Sequence, residues 1–322
     1  MQIIRGIDLL PDDTRLAVTV GVFDGVHRGH QQVFRVLDQS ARRLGAMPVA
    51  VTFDPHPDAV TQGQAPDLLM DPRERLERIA GLVAGIVVVQ RFDEIFRRTS
   101  AEEFMTRLGG GRNLTALVMT HVSAFGRDRA GTLPVLRQMG LERGWELIEA
   151  PTLDSGGARV SSARTRELVT SGQLDTAATL LGRPFALVGT VVHGEQRGRE
   201  LGFPTANLSF SGPACLPPDG TYAARATWGG EGILSPLDRA DAVISLGTQP
   251  TFGGRVRLFE VHLLDRDEDL YGQRLRVEFA GWLRGQRRYD SADELIAQMG
   301  RDVTHAREAL AKSPPSVVPA AG

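Results

Sequence analysis

Through the first half of the chain, short apolar runs alternate with segments of helical period. Leu16 to Phe23 predicts a buried strand and Gln31 to Leu44 an amphipathic helix. Pro48 to Phe53 predicts a second strand, Pro72 to Val83 a helix, Ile86 to Val89 a third strand and Ala101 to Leu108 another helix. Leu114 to Met119 and Trp145 to Glu149 complete the strands, with a helix between them. Continuous apolar strands separated by helices call for a parallel sheet covered on both faces, so the expected class is α/β with a doubly wound N-terminal sheet.

Past about Leu181 the rhythm changes. Ala186 to Val192, Tyr222 to Trp228, Ala242 to Leu246, Leu258 to Leu264 and Leu275 to Phe279 predict short strands separated by Gly/Pro-rich turns. That pattern predicts a small antiparallel β-barrel or sandwich. A closing helix is expected over Ser291 to Leu310, with Ser291 as N-cap and Glu294 three residues on. The boundary is expected near Gly182-Arg183-Pro184, giving domains 1–183 and 184–311. Residues 312–322 are rich in Pro, Ala and Ser and are expected to be a disordered tail.

Composition narrows the function classes. The 322 residues are 42% hydrophobic and 24% charged, with a net charge of −2. No basic excess argues for nucleic acid, and nothing argues for a membrane surface. Leu82 to Val89, the longest nearly apolar run, is under half of a bilayer span. Met1 to Asp13 lacks the basic and apolar blocks of a signal peptide, and Cys215 is the sole cysteine. A cytoplasmic setting is expected; no pattern sets the oligomeric state. Lys312 is the single lysine. A Walker A loop and a lysine Schiff base are therefore excluded, and phosphate must be held by Arg, His, backbone N–H groups or a metal.

Two regions carry candidate chemistry. In the first half, Gly21-Val22-Phe23-Asp24-Gly25-Val26-His27-Arg28-Gly29-His30 follows the first strand and opens the first helix. Ligands bind at that edge of a doubly wound sheet, and a helix N-terminus favours anionic phosphate oxygens. His27 and His30 share one face of the first turn. By pattern alone they fit phosphate contacts, a metal pair or solvent-facing side chains. Phe53-Asp54-Pro55-His56-Pro57 is a rigid loop at the same edge, and Ser161, Ser162, Arg164 and Arg166 fit either phosphate contacts or plain helix caps and surface charge.

In the second half, the run from Gly189 to Asn207 holds Gly194, Gly198 and Gly202, then Pro204-Thr205-Ala206-Asn207. The glycines form a loop whose N–H groups can wrap phosphates. Thr205 and Asn207 offer neutral oxygens on one side of an extended segment, a donor set that suits hydrated Mg²⁺. Glu260 alternates with apolar Phe259 and Val261, a pattern that fits a solvent-facing carboxylate or a base.

These strings resemble the bacterial bifunctional riboflavin kinase/FAD synthetases from about Leu16 to Leu310, more tightly in the C-terminal half. The resemblance implies a Rossmann-like HxGH nucleotidyltransferase domain followed by a riboflavin kinase-like barrel. It implies that His27 and His30 stabilise charge on the ATP triphosphate. Gly21, Phe23, Asp24, Gly25, Gly29, Ser161, Ser162 and Arg166 would contact that ATP, and Phe53, Asp54, Pro55 and His56 would line the pocket. In the barrel it implies Glu260 as catalytic base, Thr205 and Asn207 as magnesium ligands, and Gly194, Gly198, Gly202, Pro204 and Arg284 at the ATP and flavin sites. ATP is the implied co-substrate, with riboflavin and FMN as acceptors.

The N-terminal half departs from that family at Thr120, Val122, Ser123 and Ala124, and again at Ala163 and Thr165. Three readings follow. The first is FMN then FAD synthesis. The second is a riboflavin kinase with an impaired N-terminal nucleotide-binding module. In the third, the N-terminal domain transfers a nucleotide to another phosphorylated acceptor.

Overall fold

The computed structural model describes residues 2–110, 112–194, 198, 201–251 and 254–312. The expected tail falls almost wholly outside them, as does part of the glycine-rich loop. The chain forms two compact units, residues 1–66 with 75–162, and residues 67–74 with 163–322. This division falls at 162/163, whereas the change of pattern along the chain points to 183/184.

In the first unit the strands are β1 (Gln2–Ile4), β2 (Arg15–Val20), β3 (Met47–Asp54), β4 (Ile86–Arg91), β5 (Asn113–Met119) and β6 (Glu146–Glu149). They form one sheet in the order β1-β4-β3-β2-β5-β6, all pairs parallel. Helices α1 (Arg28–Leu44), α2 (Pro57–Thr61), α3 (Pro72–Leu82), α4 (Glu94–Arg97), α5 (Ala101–Gly109) and α6 (Leu133–Arg143) connect them. Val18, Val49, Val51 and Val88 are wholly buried. Strands buried on both faces are predominantly apolar, which is why they read as runs without alternation; the buried hydroxyls of Thr19, Thr52 and Thr115 each donate to a backbone carbonyl. The chain leaves β2 towards β3 on one side and later returns to β5 on the other. The switch point therefore lies between β2 and β5, and their C-terminal ends open the crevice where doubly wound sheets bind ligands.

A two-residue hairpin, β7 (Asp154–Ser155) and β8 (Ala158–Arg159), follows. In the second unit α7 (Ser162–Thr170) and α8 (Leu174–Leu181) precede a closed barrel. Its strands are β9 (Ala186–Val192), β10 (Ala206–Ser209), β11 (Gly220–Trp228), β12 (Asp238–Thr251), β13 (Gly254–Leu263) and β14 (Arg274–Gly285), in the order β10-β13-β12-β11-β14-β9. All pairs are antiparallel. The interior is aromatic: the Tyr222, Phe185 and Phe259 rings lie 5.1, 5.7 and 6.1 Å from that of Phe279. Helix α9 (Ala292–Lys312) covers the outside, packing Ala306 and Leu310 on Ala223 and Val243. Among the described residues no helix is long and apolar enough to cross a membrane.

The N-terminal segment of α3 belongs to the second unit through buried charges. Arg276, on β14, bonds Glu74 Oε1 at 3.2 Å and Glu278 Oε2 at 3.3 Å, all three nearly excluded from solvent. Asp71 caps the Arg73 and Glu74 N–H groups through Oδ1 and pairs with Arg274 through Oδ2 at 2.6 Å. The hydrophobic pattern holds no trace of this attachment, because it is made by charged side chains.

Candidate active sites

At the first site, the apolar pattern predicts a strand to Phe23, but β2 stops at Val20. Phe23 and Val26 have positive φ (57° and 39°), which ends the extended path and turns the chain into α1. The loop is pinned on two sides. Thr52 Oγ1, from β3, donates to Val22 O at 3.0 Å, and Ser162 Oγ donates to the buried Asp24 carbonyl at 2.8 Å. Phe23 stacks edge-on to His30 and tilts over Phe34, with centroids at 5.3 and 4.8 Å.

His27 caps α1: its Nδ1 accepts from the His30 backbone N–H at 3.3 Å. The proton of a neutral ring therefore sits on Nε2, on the opposite side. The His27 and His30 rings stack with centroids 3.6 Å apart. Burial, and secondarily the charge of His27, holds His30 well below its ordinary pKa of 6.5. His30 is thus neutral, and its Nδ1 is buried without a hydrogen-bond partner among the described residues. Gly29 lies tight against this stack: a β-carbon there would meet the His27 ring at 3.1 Å, so the ring would have to give by a few tenths of an ångström. A donor pair at the positive end of a 17-residue helix suits phosphate oxygens.

Other N-terminal candidates carry structural duties. His56 caps α2, its Nδ1 accepting from Asp58 N at 3.1 Å, and the Phe53 carbonyl accepts from Arg75 Nη2 at 2.9 Å. Asp54–Pro55 is a cis peptide. Ser161 is partly buried just before α7. Arg166 belongs to the second unit, where its Nε donates to Asp67 O at 2.8 Å. The unusual segment after β5 closes as a turn: Ser123 N donates to Thr120 O at 3.0 Å, and the two hydroxyls lie 2.8 Å apart. Thr165 is fully buried and Ala163 exposed.

The second site lies on the outer face of the barrel. Phe259 and Val261 fill the interior, so Glu260 points outward. β10, a strand the apolar pattern misses because it is four residues long and follows a Gly/Pro segment, pairs Asn207 directly with Glu260. The loop before β10 packs onto the same face. A β-carbon at Gly194 would sit 2.2 Å from Asn207 Nδ2, and one at Gly198 would sit 3.1 Å from Thr205 Oγ1. Gly202 turns the chain at φ 84°, and the Pro204 carbonyl bonds His262 Nδ1 at 2.8 Å. Thr205, Asn207 and Glu260 therefore share one patch, and the Gly194 and Gly198 backbone packs directly against Asn207 and Thr205, where a β-carbon would not fit.

The oxygens of Thr205 and Asn207 fit a cation that arrives with its own anionic ligands. Among the described residues no group of three or more His, Cys, Asp or Glu is placed to hold a metal.

Arg284 sits further along the same face. Asp302, nearly buried on α9, accepts from its Nε at 2.9 Å and its Nη2 at 2.7 Å, and Gln298 braces Asp302 at 2.8 Å. His262 lies in the run Phe259 to Asp265, and Asp302 escapes motif reasoning. The signal for His262 is its strand spacing from Glu260. For Asp302 it is a carboxylate one helical turn from the buried Ala306.

Known proteins match both units. Residues 10–164 match the FAD synthetase family and residues 181–310 the riboflavin kinase family. A bifunctional riboflavin kinase/FMN adenylyltransferase of Escherichia coli K12 is 35% identical over 98% of this chain and 100% of its own length. One from Pseudomonas fluorescens is 35% identical over 97% of this chain and 99% of its own. A crystal structure of a macrolide-efflux protein from Streptococcus pneumoniae superposes with a TM-score of 0.81 at 29% identity, covering 95% of this chain and 98% of that one. With both halves matched in one order over nearly full length, the chain belongs to the bifunctional riboflavin kinase/FMN adenylyltransferase family.

Proposed function

We propose that the barrel unit transfers the γ-phosphoryl group of ATP to riboflavin, giving FMN, and that the N-terminal unit transfers AMP from a second ATP to FMN, giving FAD. One observation carries the kinase half: Asn207 and Glu260 are direct cross-strand partners on the outer face, beneath Gly194 and Gly198. Glu260 accepts the proton of the terminal ribityl hydroxyl as its oxygen attacks the γ-phosphorus, and the bond to the bridging oxygen of ADP breaks. Thr205 and Asn207 would hold the Mg²⁺ carried by the nucleotide, which would supply charge neutralisation at the phosphates. The backbone N–H groups of Gly194, Gly198 and Gly202 contact the phosphates, and Arg284 orients the flavin.

In the N-terminal unit, a phosphate oxygen of FMN attacks the α-phosphorus and pyrophosphate departs. FMN is already anionic, so this step needs alignment and charge stabilisation more than a strong base. The Nε2–H of His27, the His30 stack and the α1 N-terminus support that role. Ser161 and Ser162 are assigned to the same triphosphate, and the loop from Phe53 to His56 to the pocket wall. In this reading residues 1–183 are the adenylyltransferase domain and 184–311 the kinase domain. ATP, riboflavin and FMN are the partners, and the cytoplasm is the place of action.

The test uses purified protein with ATP and Mg²⁺, its flavins separated by chromatography. Riboflavin should give FMN and FAD, and added FMN should give FAD. Glu260→Ala should stop FMN formation by at least a hundredfold and leave FAD formation from FMN intact. Kinase turnover that survives this change refutes Glu260 as base. Absence of FAD from either substrate refutes the adenylyltransferase half.

A further inference from the structure

The rung that joins Asn207 to Glu260 continues across the barrel. Glu260 pairs with Ser245, Ser245 with Thr221 and Thr221 with Arg284. Direct partners in antiparallel strands present their side chains on one face, so five polar side chains stand in line from Asn207 to Arg284. On one side the next rung, Ala223 and Val243, is covered by α9. On the other, Gln286 reaches over Gly247 to donate to Leu246 O at 2.7 Å. The polar rung runs between these two covers.

Thr221 is the anomaly in it. The residue is 2% exposed, yet its Oγ1 has no hydrogen-bond partner among the described residues. A buried hydroxyl left unpaired is destabilising, and a valine would fill the same space without it. Tyr289 has a second buried hydroxyl without a hydrogen-bond partner among the described residues, and its ring lies 5.9 Å from the guanidinium of Arg284, the cross-strand partner of Thr221. Two such hydroxyls flanking one arginine mark a place built for a polar ligand.

Distance selects which part of the ligand. Two strand spacings of about 4.8 Å put Thr221 about 10 Å from Glu260 along the wall. An extended ribityl arm spans six bonds from its 5′-oxygen to the ring, about 7.5 Å, and a hydrogen bond from that oxygen to Glu260 adds about 2.7 Å. Thr221 therefore faces the junction of arm and ring. We propose that Thr221 is a specificity residue for the phosphoryl acceptor, its hydroxyl pairing with the 2′-hydroxyl of the ribityl arm; this rests on the riboflavin kinase reading above.

Steady-state kinase assays on the full-length protein test it with riboflavin and 2′-deoxyriboflavin. Wild type should show a KM about tenfold higher for the deoxy compound. Thr221→Val should raise the riboflavin KM about tenfold and leave its KM for the deoxy compound and for ATP unchanged. Thr221→Ser should restore wild-type behaviour. Equal wild-type KM values for the two flavins, or a valine variant that loses affinity equally for both, overturns the proposal. The wild-type comparison needs no variant to fold. Failure of wild type to phosphorylate riboflavin at all would instead refute the kinase reading.

Discussion

Gly194→Ala probes the kinase patch with the smallest possible change. A methyl group at this position would lie 2.2 Å from Asn207 Nδ2 and 2.6 Å from its Cγ. Ordinary contact is about 3.5 Å, so the amide must move by about 1.3 Å. Gly194 lies outside the left-handed region, so alanine fits the backbone, and the lost freedom of the unfolded chain favours folding by about 0.4–1 kcal/mol. The fold should therefore keep its melting temperature. Displacing a positioning group by more than about 1 Å costs about a hundredfold in rate, or about 2.7 kcal/mol of transition-state stabilisation. The assay is kcat/KM for riboflavin phosphorylation, with adenylylation of added FMN as an internal control. A variant within about threefold of wild type would show that Asn207 does not need its observed position, and the magnesium assignment would fall with it.

Other perturbations separate structural from functional charges. Glu74→Ala leaves Arg276 buried with Glu278 as its remaining acidic neighbour. It should cost about 3 kcal/mol, lowering the melting temperature of the second unit by about 6–12 °C; a loss below 1 kcal/mol would contradict the burial argument. Asp302→Asn removes the charge that holds Arg284 in place. The riboflavin KM should rise about tenfold with the ATP KM unchanged, and equal effects on both would make Asp302 merely structural. His30 has its folded pKa depressed below 6.5, so the unfolded chain binds the proton more readily. Its contribution to stability is complete above about pH 6.5 and is lost as pH falls below it. Urea titrations from pH 7.5 to 5.5 should show a slope that His30→Asn reduces; an unchanged slope would mean the imidazole is not desolvated.

Periodicity and a few strings of residues carried much of this protein. The apolar runs at Pro48–Phe53, Ile86–Val89 and Leu114–Met119 lie within β3, β4 and β5, because a strand buried on both faces has no regular polar alternation to disguise it. The turn-separated strands of the second half are five of the six barrel strands, and Ser291 caps α9 by accepting from Glu294 N at 3.2 Å. The HxGH string and the Gly-rich run to Asn207 are local, so sequence order brings their members together. What local order leaves open was decided by long-range pairing. β10 is too short to stand out, yet it sets Asn207 opposite Glu260, 53 positions along the chain. Thr221 and Ser245 join that line through barrel closure, Asp302 reaches Arg284 from a helix, and residues 67–74 attach to the barrel unit through buried ion pairs. Sequence fixes which side chains alternate inward and outward; register across strands, set by closure of the whole sheet, determines which of the outward ones meet.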